Sequence, residues 1–335
     1  MTTATRVRTG RTVRGAGRAA GHVSAGPATA DHTAPPAPQY RFFEAVVARV
    51  ERLGPSSSRL TFAGPQLRGF GAGGADQRIK LVLSRDGRPV QHLLSSGPGW
   101  YQDYCALPDD RRPHLRTYTV RAARPQLGEL DVDVVLHGVD SGAAGPAASW
   151  AAAAVPGDPV VLLGPDRPGS GRAWGCEWAP PARGSLFLAG DETAVPAISA
   201  IVEALPAGRR AIAVLEVPAA GDVLPLTLAP GIEVRWLVRG HRARGEALGA
   251  AVHAALCELG IAQPTSGIEP EDVDLDSGIL WEVPQAGAAE GCYAWLAGEA
   301  GMVKKLRRRL VRDLGVPRTS VAFMGYWRLG TAEGA

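Results

Sequence analysis

Long hydrophobic runs and paired cysteines are both missing from this sequence. No apolar run approaches the roughly 20 residues that a membrane-spanning helix needs, and the arginines near the N-terminus are not joined to the apolar segment of a secretory signal. The four cysteines lie far apart, and no pair has the CxxC spacing of a zinc, iron–sulfur or thioredoxin-like site. We therefore expect a cytoplasmic protein with reduced thiols, no membrane contact and no metal site.

A strong excess of one charge is missing as well. The formal net charge is +3, and the first 38 residues hold five arginines against the single acidic residue Asp31, so the remainder is close to neutral. This balance argues against nucleic acid as a partner. One basic run, KKLRRRL at 304–310, falls opposite Met302 and Leu306 on a predicted helix, and we interpret it as a solvated face.

Composition and apolar periodicity divide the chain into three parts. Residues 1–38 are rich in Gly, Ala, Arg, Thr and Pro without apolar periodicity, which predicts a disordered basic tail. Residues 39–183 contain short runs of β-branched and aromatic residues and one alanine-rich helical stretch, as expected for an antiparallel β-barrel. Residues 184–330 alternate short apolar strands with helical segments, as expected for a parallel α/β domain.

The stretch HLRTYTVRA at 114–122 is unusual for a strand because neither of its faces is apolar. Alternation places Arg116 and Tyr118 on one face and Thr119 on the other. An arginine fork suits a phosphate, a tyrosine ring can stack on a flat ligand, and a threonine can bond its polar edge. The alternative is an edge strand with solvated arginines. Arg121 has no place in such a ligand site, and we expect it to point into the barrel or to pair with an acidic residue.

Two further motifs stand at predicted helix starts, one rich in small residues and the other carrying acidic residues. GPAASWA at 145–151 would let backbone N–H groups approach a phosphate closely, and the alternative is an ordinary helix with a serine cap. GDETAVPAI at 190–198 leaves a buried strand and enters a helix, where acidic residues also suit the helix dipole. No GxGxxG follows this strand, so the standard dinucleotide-binding fingerprint is absent.

Taken in order, the motifs resemble those of the siderophore-interacting proteins, flavin-dependent ferric-siderophore reductases of the ferredoxin-reductase superfamily. The matching segments are RLTFAG at 59–64, RTYTVR at 116–121, DVVLHG at 133–138, GPAASWA at 145–151, LLGP at 162–165, AGDETAVPAI at 189–198, WLAGE at 295–299 and GYWRLG at 325–330. The resemblance covers residues 40–330. It implies a flavin-binding β-barrel followed by a parallel α/β domain that binds a nicotinamide nucleotide.

The resemblance also implies which residues hold FAD. Arg116 would meet the phosphates, Tyr118 would stack on the flavin ring, Thr119 would bond the polar edge of the ring, and Thr117 belongs to the same motif. Further contacts from the next strand would come from Val135 and His137, the latter as neither acid nor base. The pyrophosphate would lie against the start of the alanine-rich helix, at Gly145, Ala147, Ala148 and Ser149.

The nicotinamide of NADPH or NADH would bind at the carboxyl end of the parallel sheet. The residues implied there follow two of the predicted strands: Asp191, Glu192, Thr193, Gly298 and Glu299. The 2′-phosphate of NADPH needs basic partners. Arg239 and Arg242, which follow the strand IEVRWLV, are the candidates.

The implied substrate is a ferric siderophore, a hard oxygen chelate that is often anionic. Such a chelate needs a cationic cleft beside the flavin rather than iron ligands from the protein. By resemblance the basic set is Lys80, Arg167 and Arg328, with Arg172 as an alternative to Arg167 because the register of that loop is open. The implied activity is hydride transfer to FAD followed by single electrons to Fe(III), with release of Fe(II) and no catalytic acid or base.

Other functions share some of these features. The main alternative is a flavin reductase that passes electrons to a ferredoxin or flavodoxin-type protein. A siderophore-binding protein with vestigial flavin motifs and a basic nucleic-acid-binding module are further alternatives. We expect the protein to be a monomer.

Overall fold

The computed structural model of the protein describes residues 40–85, 90–94, 99–139, 142–166, 175–261, 281–284 and 291–330. These residues belong to one compact unit, Ala37–Ala335. The tail predicted at 1–38 lies outside the described residues, so its disorder stays a prediction. Among the described helices, none has the length and apolar character to cross a bilayer.

Seven antiparallel strands form the first half of the fold. They are β1 (Tyr40–Gly54), β2 (Ser57–Ala63), β3 (Arg78–Leu83), β4 (His114–Thr119), β5 (Ala122–Arg124), β6 (Glu129–Val135) and β7 (Pro159–Pro165). Their order in the sheet is β4-β3-β7-β1-β2-β6-β5, and all neighbouring pairs are antiparallel. Turn residues separate short runs of β-branched and large apolar residues, which is the pattern that predicted these strands.

The chain itself brings the two edges of this sheet together at one end, which curls the sheet into a half-barrel. The two edge strands are β4 and β5, yet only Val120 and Arg121 separate them in sequence. Three Cα steps cover at most about 11 Å, so the end of β4 lies close to the start of β5. The N–H of Val120 donates to the carbonyl of Gln77 at 2.7 Å, and the N–H of Arg121 donates to that of Asp131 at 2.8 Å. The predicted antiparallel barrel is therefore confirmed.

Two short helices, α1 (Gln91–Leu94) and α2 (Trp100–Ala106), lie between β3 and β4, where no helix was predicted. They pack around Leu93 and Phe42 on the outer face of the barrel. The rings of Phe42 and Trp100 meet edge to face, with centroids 5.3 Å apart. Because side chains alternate along β1, the next residue, Phe43, points inward instead and is fully buried in the barrel core.

The alanine-rich segment forms helix α3 (Pro146–Ala153), as predicted. Pro146 stands at its first turn, where the missing N–H would have had no partner inside the helix. Ala147 and Ala151 pack in the barrel core together with Phe62 and Leu81. The small side chains thus bring the start of this helix close against the barrel.

The second half of the fold is a six-stranded sheet flanked by helices. Its strands are β8 (Ser185–Gly190), β9 (Ala211–Val217), β10 (Ile232–Val238), β11 (Trp281–Glu282), β12 (Cys292–Glu299) and β13 (Val321–Trp327). Its helices are α4 (Val195–Ala204), α5 (Leu248–Glu258) and α6 (Ala300–Arg308). The order is β10-β9-β8-β12-β13-β11, and the strands are parallel except for β11, which runs antiparallel to β13. The predicted parallel α/β arrangement is confirmed.

The apolar strands of this sheet are buried on both faces. Phe187 and Ala189 of β8 point into a core with α5 and α6, whereas Leu186 and Leu188 point into a core with α4. Continuous apolar runs, rather than alternating ones, are what a parallel sheet covered on both faces requires. This explains why SLFLAG and CYAWLAG are almost wholly apolar.

The strand order reverses its direction beside β8. From β8 the chain builds outward through β9 and β10, then returns to β12 on the other side of β8. The carboxyl ends of β8 and β12 therefore flank a topological switch point, the usual ligand crevice of an open parallel sheet. Asp191 and Glu299, two of the predicted site residues, lie at these two ends.

The basic run at 304–310 corrects one interpretation made from the sequence. Lys305 and Arg308 are exposed, as predicted, but Arg307 is only 4% exposed. Its guanidinium lies 4.6 Å from the ring centroid of Phe323 and 3.6 Å from the carboxylate of Glu282. The long arginine side chain covers apolar surface while its charge meets an aromatic face and an acid, so this position is not a solvated one.

Side chains also connect the barrel to the parallel sheet. Arg121 of the barrel forms an ion pair with Glu203 of α4 at 2.5 Å, and its Nε lies 3.8 Å from Asp133. The expectation that Arg121 pairs with an acidic residue is confirmed. On the same side, Asp222 accepts a hydrogen bond from the backbone N–H of Ser56 at 2.7 Å.

Candidate functional site

A cleft of about 660 Å³ lies between the barrel and the carboxyl edge of the parallel sheet. The predicted residues that line it are Lys80, Arg116, Thr117, Tyr118, Thr119, Val135, His137 and Thr193. The lining residues that were not predicted are Arg78, Asp133, Glu177, Pro196, Trp281, Gly325, Tyr326 and Trp327. One cleft thus joins the RTYT strand to the crevice of the sheet.

The register between β3 and β4 determines which side chains of RTYT share a face of the sheet. Arg116 and Tyr118 pair with Leu81 and Ile79, two residues of the barrel core, and Tyr118 packs partly against that core. Thr117 pairs with Lys80 on the opposite face of the strand. The Nζ of Lys80 donates to the Thr117 hydroxyl at 2.9 Å. The lysine predicted for the substrate and a residue of the predicted FAD motif are therefore in direct contact.

The same face of β3 brings a second cation to the cleft. Arg78 pairs with Thr119 across the ladder and forms an ion pair with Glu177 at 3.0 Å. Its guanidinium lies 4.2 Å from the ring centroid of Trp281, which comes from the edge strand β11 of the other sheet. Arg78 could have been found from the sequence, because it stands two residues before Lys80 and strand side chains alternate.

Two buried polar atoms in the cleft have no hydrogen-bond partner among the described residues. They are Nε2 of His137 and the hydroxyl of Tyr326. Such atoms are costly to bury unless a ligand or water meets them. Burial raises the pKa of Tyr326 above its usual range, so the phenol stays protonated and able to donate. A flavin offers carbonyl and ring-nitrogen atoms for such groups, so these residues fit FAD.

The start of α3 offers a different kind of contact. Ala147 and Ala148 are buried, so only their backbone N–H groups can meet a pyrophosphate, and the first N–H groups of a helix have no partner inside it. The N–H of Ser149 already donates to the carbonyl of Gly145 at 2.9 Å. A Cβ added at Gly145 would meet nothing within 4 Å, so the space before the helix is open. These four residues are not among those that line the cleft.

Asp191 organises the switch point at the end of β8. Its carboxylate is fully buried and accepts hydrogen bonds from the backbone N–H of Thr193 at 2.9 Å, the Thr193 hydroxyl at 2.6 Å and the N–H of Glu299 at 2.9 Å. It also accepts a hydrogen bond from the indole N–H of Trp327 at 3.3 Å. Burial raises the pKa of Asp191, and the neighbouring Glu192 adds to this effect. These hydrogen bonds join the ends of β8, β12 and β13. The Asp191 carboxylate therefore serves this junction rather than the N-terminal end of a helix.

Gly298 is required at this place because Asp191 lies against it. Its φ is +137°, and a Cβ there would lie 2.8 Å from the Asp191 carboxyl carbon and 2.8 Å from Cε of Met302. The next residue, Glu299, caps helix α6, because its side chain accepts a hydrogen bond from the N–H of Met302 at 2.8 Å. Gly298 and Glu299, both predicted site residues, therefore have structural roles beside the crevice.

Glu192 is the centre of a charged cluster beside Asp191. Its carboxylate binds Arg239 in a bidentate pair at 2.8 and 3.0 Å and also binds Arg244. Arg239 reaches Glu216 at 3.2 Å as well. Although burial opposes ionisation, these guanidinium groups lower the pKa of Glu192 to about 2. The structure therefore brings Arg239 to the crevice with its guanidinium already bound by two carboxylates.

His137 connects this cluster to the barrel side of the cleft. Its Nδ1 lies 3.8 Å from Glu192, and its ring centroid lies 5.2 Å from that of Trp327. Arg244 in turn lies 4.7 Å from the ring centroid of Trp327. Burial lowers the pKa of His137, against the opposing charge of Glu192, so the ring is neutral at pH 7. A neutral imidazole can donate one hydrogen bond and accept another.

The predicted basic set is only partly described. Lys80 lines the cleft, and Arg328 is exposed and directly follows the cleft residue Trp327. Arg167 and its alternative Arg172 lie outside the described residues. The third cation of the set therefore stays a prediction.

An antiparallel barrel beside the carboxyl edge of a parallel sheet defines a ferredoxin-reductase-like fold. The structure of a ferredoxin NADP+ reductase from Neisseria gonorrhoeae with bound FAD and NADP shares this fold, with a TM-score of 0.51 at 12% identity over 86% of this chain and 99% of that one. At this level of identity the likeness concerns the fold alone.

Family models and closer relatives narrow this class. The model of the siderophore-interacting FAD-binding domain matches residues 46–169, and that of the siderophore-interacting protein matches residues 184–330. The chain therefore belongs to the siderophore-interacting protein family, as its motifs predicted, and is an FAD-binding flavoprotein of a reductase family.

Individual relatives match over nearly the whole described chain. An uncharacterized protein of Mycobacterium tuberculosis is 34% identical over 87% of this chain and 91% of its own length. The ferric vibriobactin reductase ViuB of Vibrio cholerae is 29% identical over 83% and 86%. The crystal structure of the siderophore-interacting protein SipS from Aeromonas hydrophila has a TM-score of 0.59 and 30% identity over 89% of this chain and 95% of that one.

Proposed function

We propose that this protein is an NAD(P)H-dependent reductase that releases Fe(II) from ferric siderophores. The observation that carries the proposal is that one cleft brings together Tyr118 and His137 of the FAD motifs, Thr193 at the sheet crevice, and Lys80. The similarity to ViuB, whose name is ferric vibriobactin reductase, supports the same reaction class. The proposed domains are 39–183 for FAD and 184–330 for NAD(P)H, in a cytoplasmic monomer.

The barrel residues would hold FAD in extended form. Tyr118 offers a ring for stacking, Arg116 offers a guanidinium for phosphate, and the backbone of Ala147 and Ala148 offers N–H groups for pyrophosphate. His137 Nε2 and the Tyr326 hydroxyl are the buried polar atoms that a polar ring edge would satisfy. When bound, FAD supplies the conversion of a two-electron hydride donor into one-electron steps.

The parallel sheet would place the nicotinamide at its switch point. Thr193 and Pro196 line the cleft directly after β8, and Trp327 lines it at the end of β13. Asp191 fixes both segments through its bonds to Thr193 and Trp327. The residues of this chain therefore act by positioning, and no side chain has to move a proton in the proposed reaction.

A ferric chelate would be attracted by the cations around the cleft. Lys80 lines the cleft beside the FAD motif, and Arg328 lies at its sheet side next to Trp327. The carboxylates of Asp133 and Glu177, which also line the cleft, are neutralised by Arg59 at 2.6 Å and Arg78 at 3.0 Å. The acids of the cleft wall are thus paired, which favours an anionic chelate.

The test is to purify the protein, record its flavin spectrum, and follow NAD(P)H-dependent Fe(II) formation from several ferric siderophores with a ferrous trap. A flavin spectrum and ferric-chelate turnover are expected. A colourless protein, or a flavoprotein that turns over only when a ferredoxin or flavodoxin is added, would reject the proposal.

A further inference from the structure

We propose that the crevice of the parallel sheet selects NADH over NADPH, because Glu192 and Glu216 already bind the guanidinium of Arg239. The inference rests on the proposed function, since it concerns the nucleotide that would serve as hydride donor. It assigns Arg239 as a positioning residue of the crevice rather than as a ligand of the 2′-phosphate.

The three residues come from neighbouring strand ends. Glu192 follows β8, Glu216 is near the end of β9, and Arg239 directly follows β10. These strands lie side by side in the order β10-β9-β8, with their carboxyl ends at one edge. The flavin cleft reaches this edge at Thr193 and Pro196, after β8. A dinucleotide with its nicotinamide in the cleft can extend its adenosine end along β9 and β10.

Arg239 is held there by a full set of acidic partners. Its guanidinium binds Glu192 through two nitrogens at 2.8 and 3.0 Å and Glu216 at 3.2 Å. Only 11% of its side chain is exposed. Glu216 is fully buried and is fixed in turn by the N–H of Gly245, which donates to both of its oxygens at 3.0 and 3.1 Å.

The other charged residues of the cluster do not release Arg239 from its carboxylates to bind a phosphate. Arg244 also binds Glu192, lies 3.4 Å from Asp191, and lies over the ring of Trp327. The cluster thus contains two guanidinium groups and three carboxyl groups, so it has no positive charge in excess. A 2′-phosphate dianion would have to displace buried carboxylates from Arg239 and would then face them at short range. A ribose 2′-hydroxyl, in contrast, can donate to a carboxylate.

Arg242 is a further cation near this edge. Its side chain is exposed, in the loop between β10 and α5, and its backbone N–H donates to the carbonyl of Arg239 at 3.2 Å. An exposed arginine can bind phosphate only with strong solvent screening. We therefore expect it to contribute little to nucleotide selection.

The experiment measures Kd for NAD+ and NADP+ with the purified FAD-loaded protein by calorimetry at one fixed salt concentration. Wild type should bind NADP+ at least about tenfold more weakly than NAD+. Glu192→Gln removes one carboxylate and releases Arg239, so it should shift the ratio of the two constants toward NADP+ by about tenfold. A general loss of packing would weaken both nucleotides together and leave the ratio unchanged.

The matched control is Glu203→Gln, the same substitution at another glutamate that is paired with an arginine. Glu203 lies near the end of α4, away from the crevice. Its ratio should equal that of wild type, and so should that of Arg242→Ala. Equal or tighter binding of NADP+ by wild type would overturn the inference, even if Glu192→Gln failed to fold. Selective loss of NADP+ binding in Arg242→Ala would also overturn it. Binding of neither nucleotide would overturn it together with the proposed NAD(P)H dependence.

Discussion

Replacing Glu192 by glutamine should destabilise the protein in a pH-dependent way. The carboxylate is 5% exposed and binds both Arg239 and Arg244. Its pKa falls from 4.5 to about 2 in the folded state. Because the unfolded chain binds the proton more tightly, the ionised carboxylate stabilises the fold fully above about pH 4.5. This contribution is lost as the pH falls toward 2.

The size of the effect follows from that shift. At about 1.4 kcal/mol per pKa unit, the difference corresponds to about 3 kcal/mol in the free energy of unfolding at pH 7. Glutamine keeps the shape of the side chain but not the charge, so the variant should lose most of this amount at pH 7. Near pH 3 the two proteins should be much closer in stability. The charge of Glu192 also raises the pKa of Asp191 and opposes the lowering of the pKa of His137, so the difference between the two curves reports on Glu192 together with these two neighbours.

Urea unfolding of wild type and Glu192→Gln at pH 7, 5, 4 and 3 measures this difference. The m-value should be unchanged, so the midpoints carry the comparison. Glu203→Gln, whose side chain is 26% exposed and forms its ion pair with Arg121, should lose only about 1 kcal/mol. A Glu192→Gln loss that is the same at pH 3 and pH 7, or no loss at pH 7, would refute the assignment of the pKa shift to the arginine pairs.

Three further changes test the switch point and the cleft. Gly298→Ala places a Cβ 2.8 Å from both Asp191 and Met302 at a φ of +137°, so thermal unfolding should show a loss of about 2 kcal/mol or more. Lys80→Met should raise KM for an anionic ferric siderophore about tenfold in a ferrous-trap assay while the bound flavin stays constant. Tyr118→Ala should lower FAD affinity, measured by flavin fluorescence on titration of the apoprotein, and full retention of flavin affinity and ferric-chelate turnover would argue against its stacking role.

The fold was largely predictable because its elements carry local signals. Barrel strands such as RLTFAG are short and end at glycine, and SLFLAG is apolar throughout because β8 is buried on both faces. The short helices α1 and α2 lack an apolar periodicity long enough to detect, since they pack on the barrel through a few large residues. The edge strand β11 has two residues and pairs with β13, a strand about 40 residues further along the chain.

The site was predictable where one strand carries several of its residues. RTYT places Arg116 to Thr119 in the cleft, and Lys80 meets Thr117 because β3 and β4 pair in register. Glu177 and Trp281 give no such signal, because each reaches Arg78 from a distant part of the chain. The position of Arg239 at the crevice was predictable because Arg239 directly follows the parallel strand β10. Its acidic partners come from two other strand ends and appear only in three dimensions.

In the proposed function, electrons leave this cleft to a small ferric chelate and not to a protein. Rapid mixing of photoreduced, FAD-loaded protein with a ferric siderophore, without oxygen or nicotinamide nucleotide, tests it most directly. We expect flavin reoxidation together with Fe(II) formation, at a rate that rises with the siderophore concentration and falls in Lys80→Met. Flavin that stays reduced with several ferric siderophores, yet is reoxidised at once by a ferredoxin or flavodoxin, would contradict it.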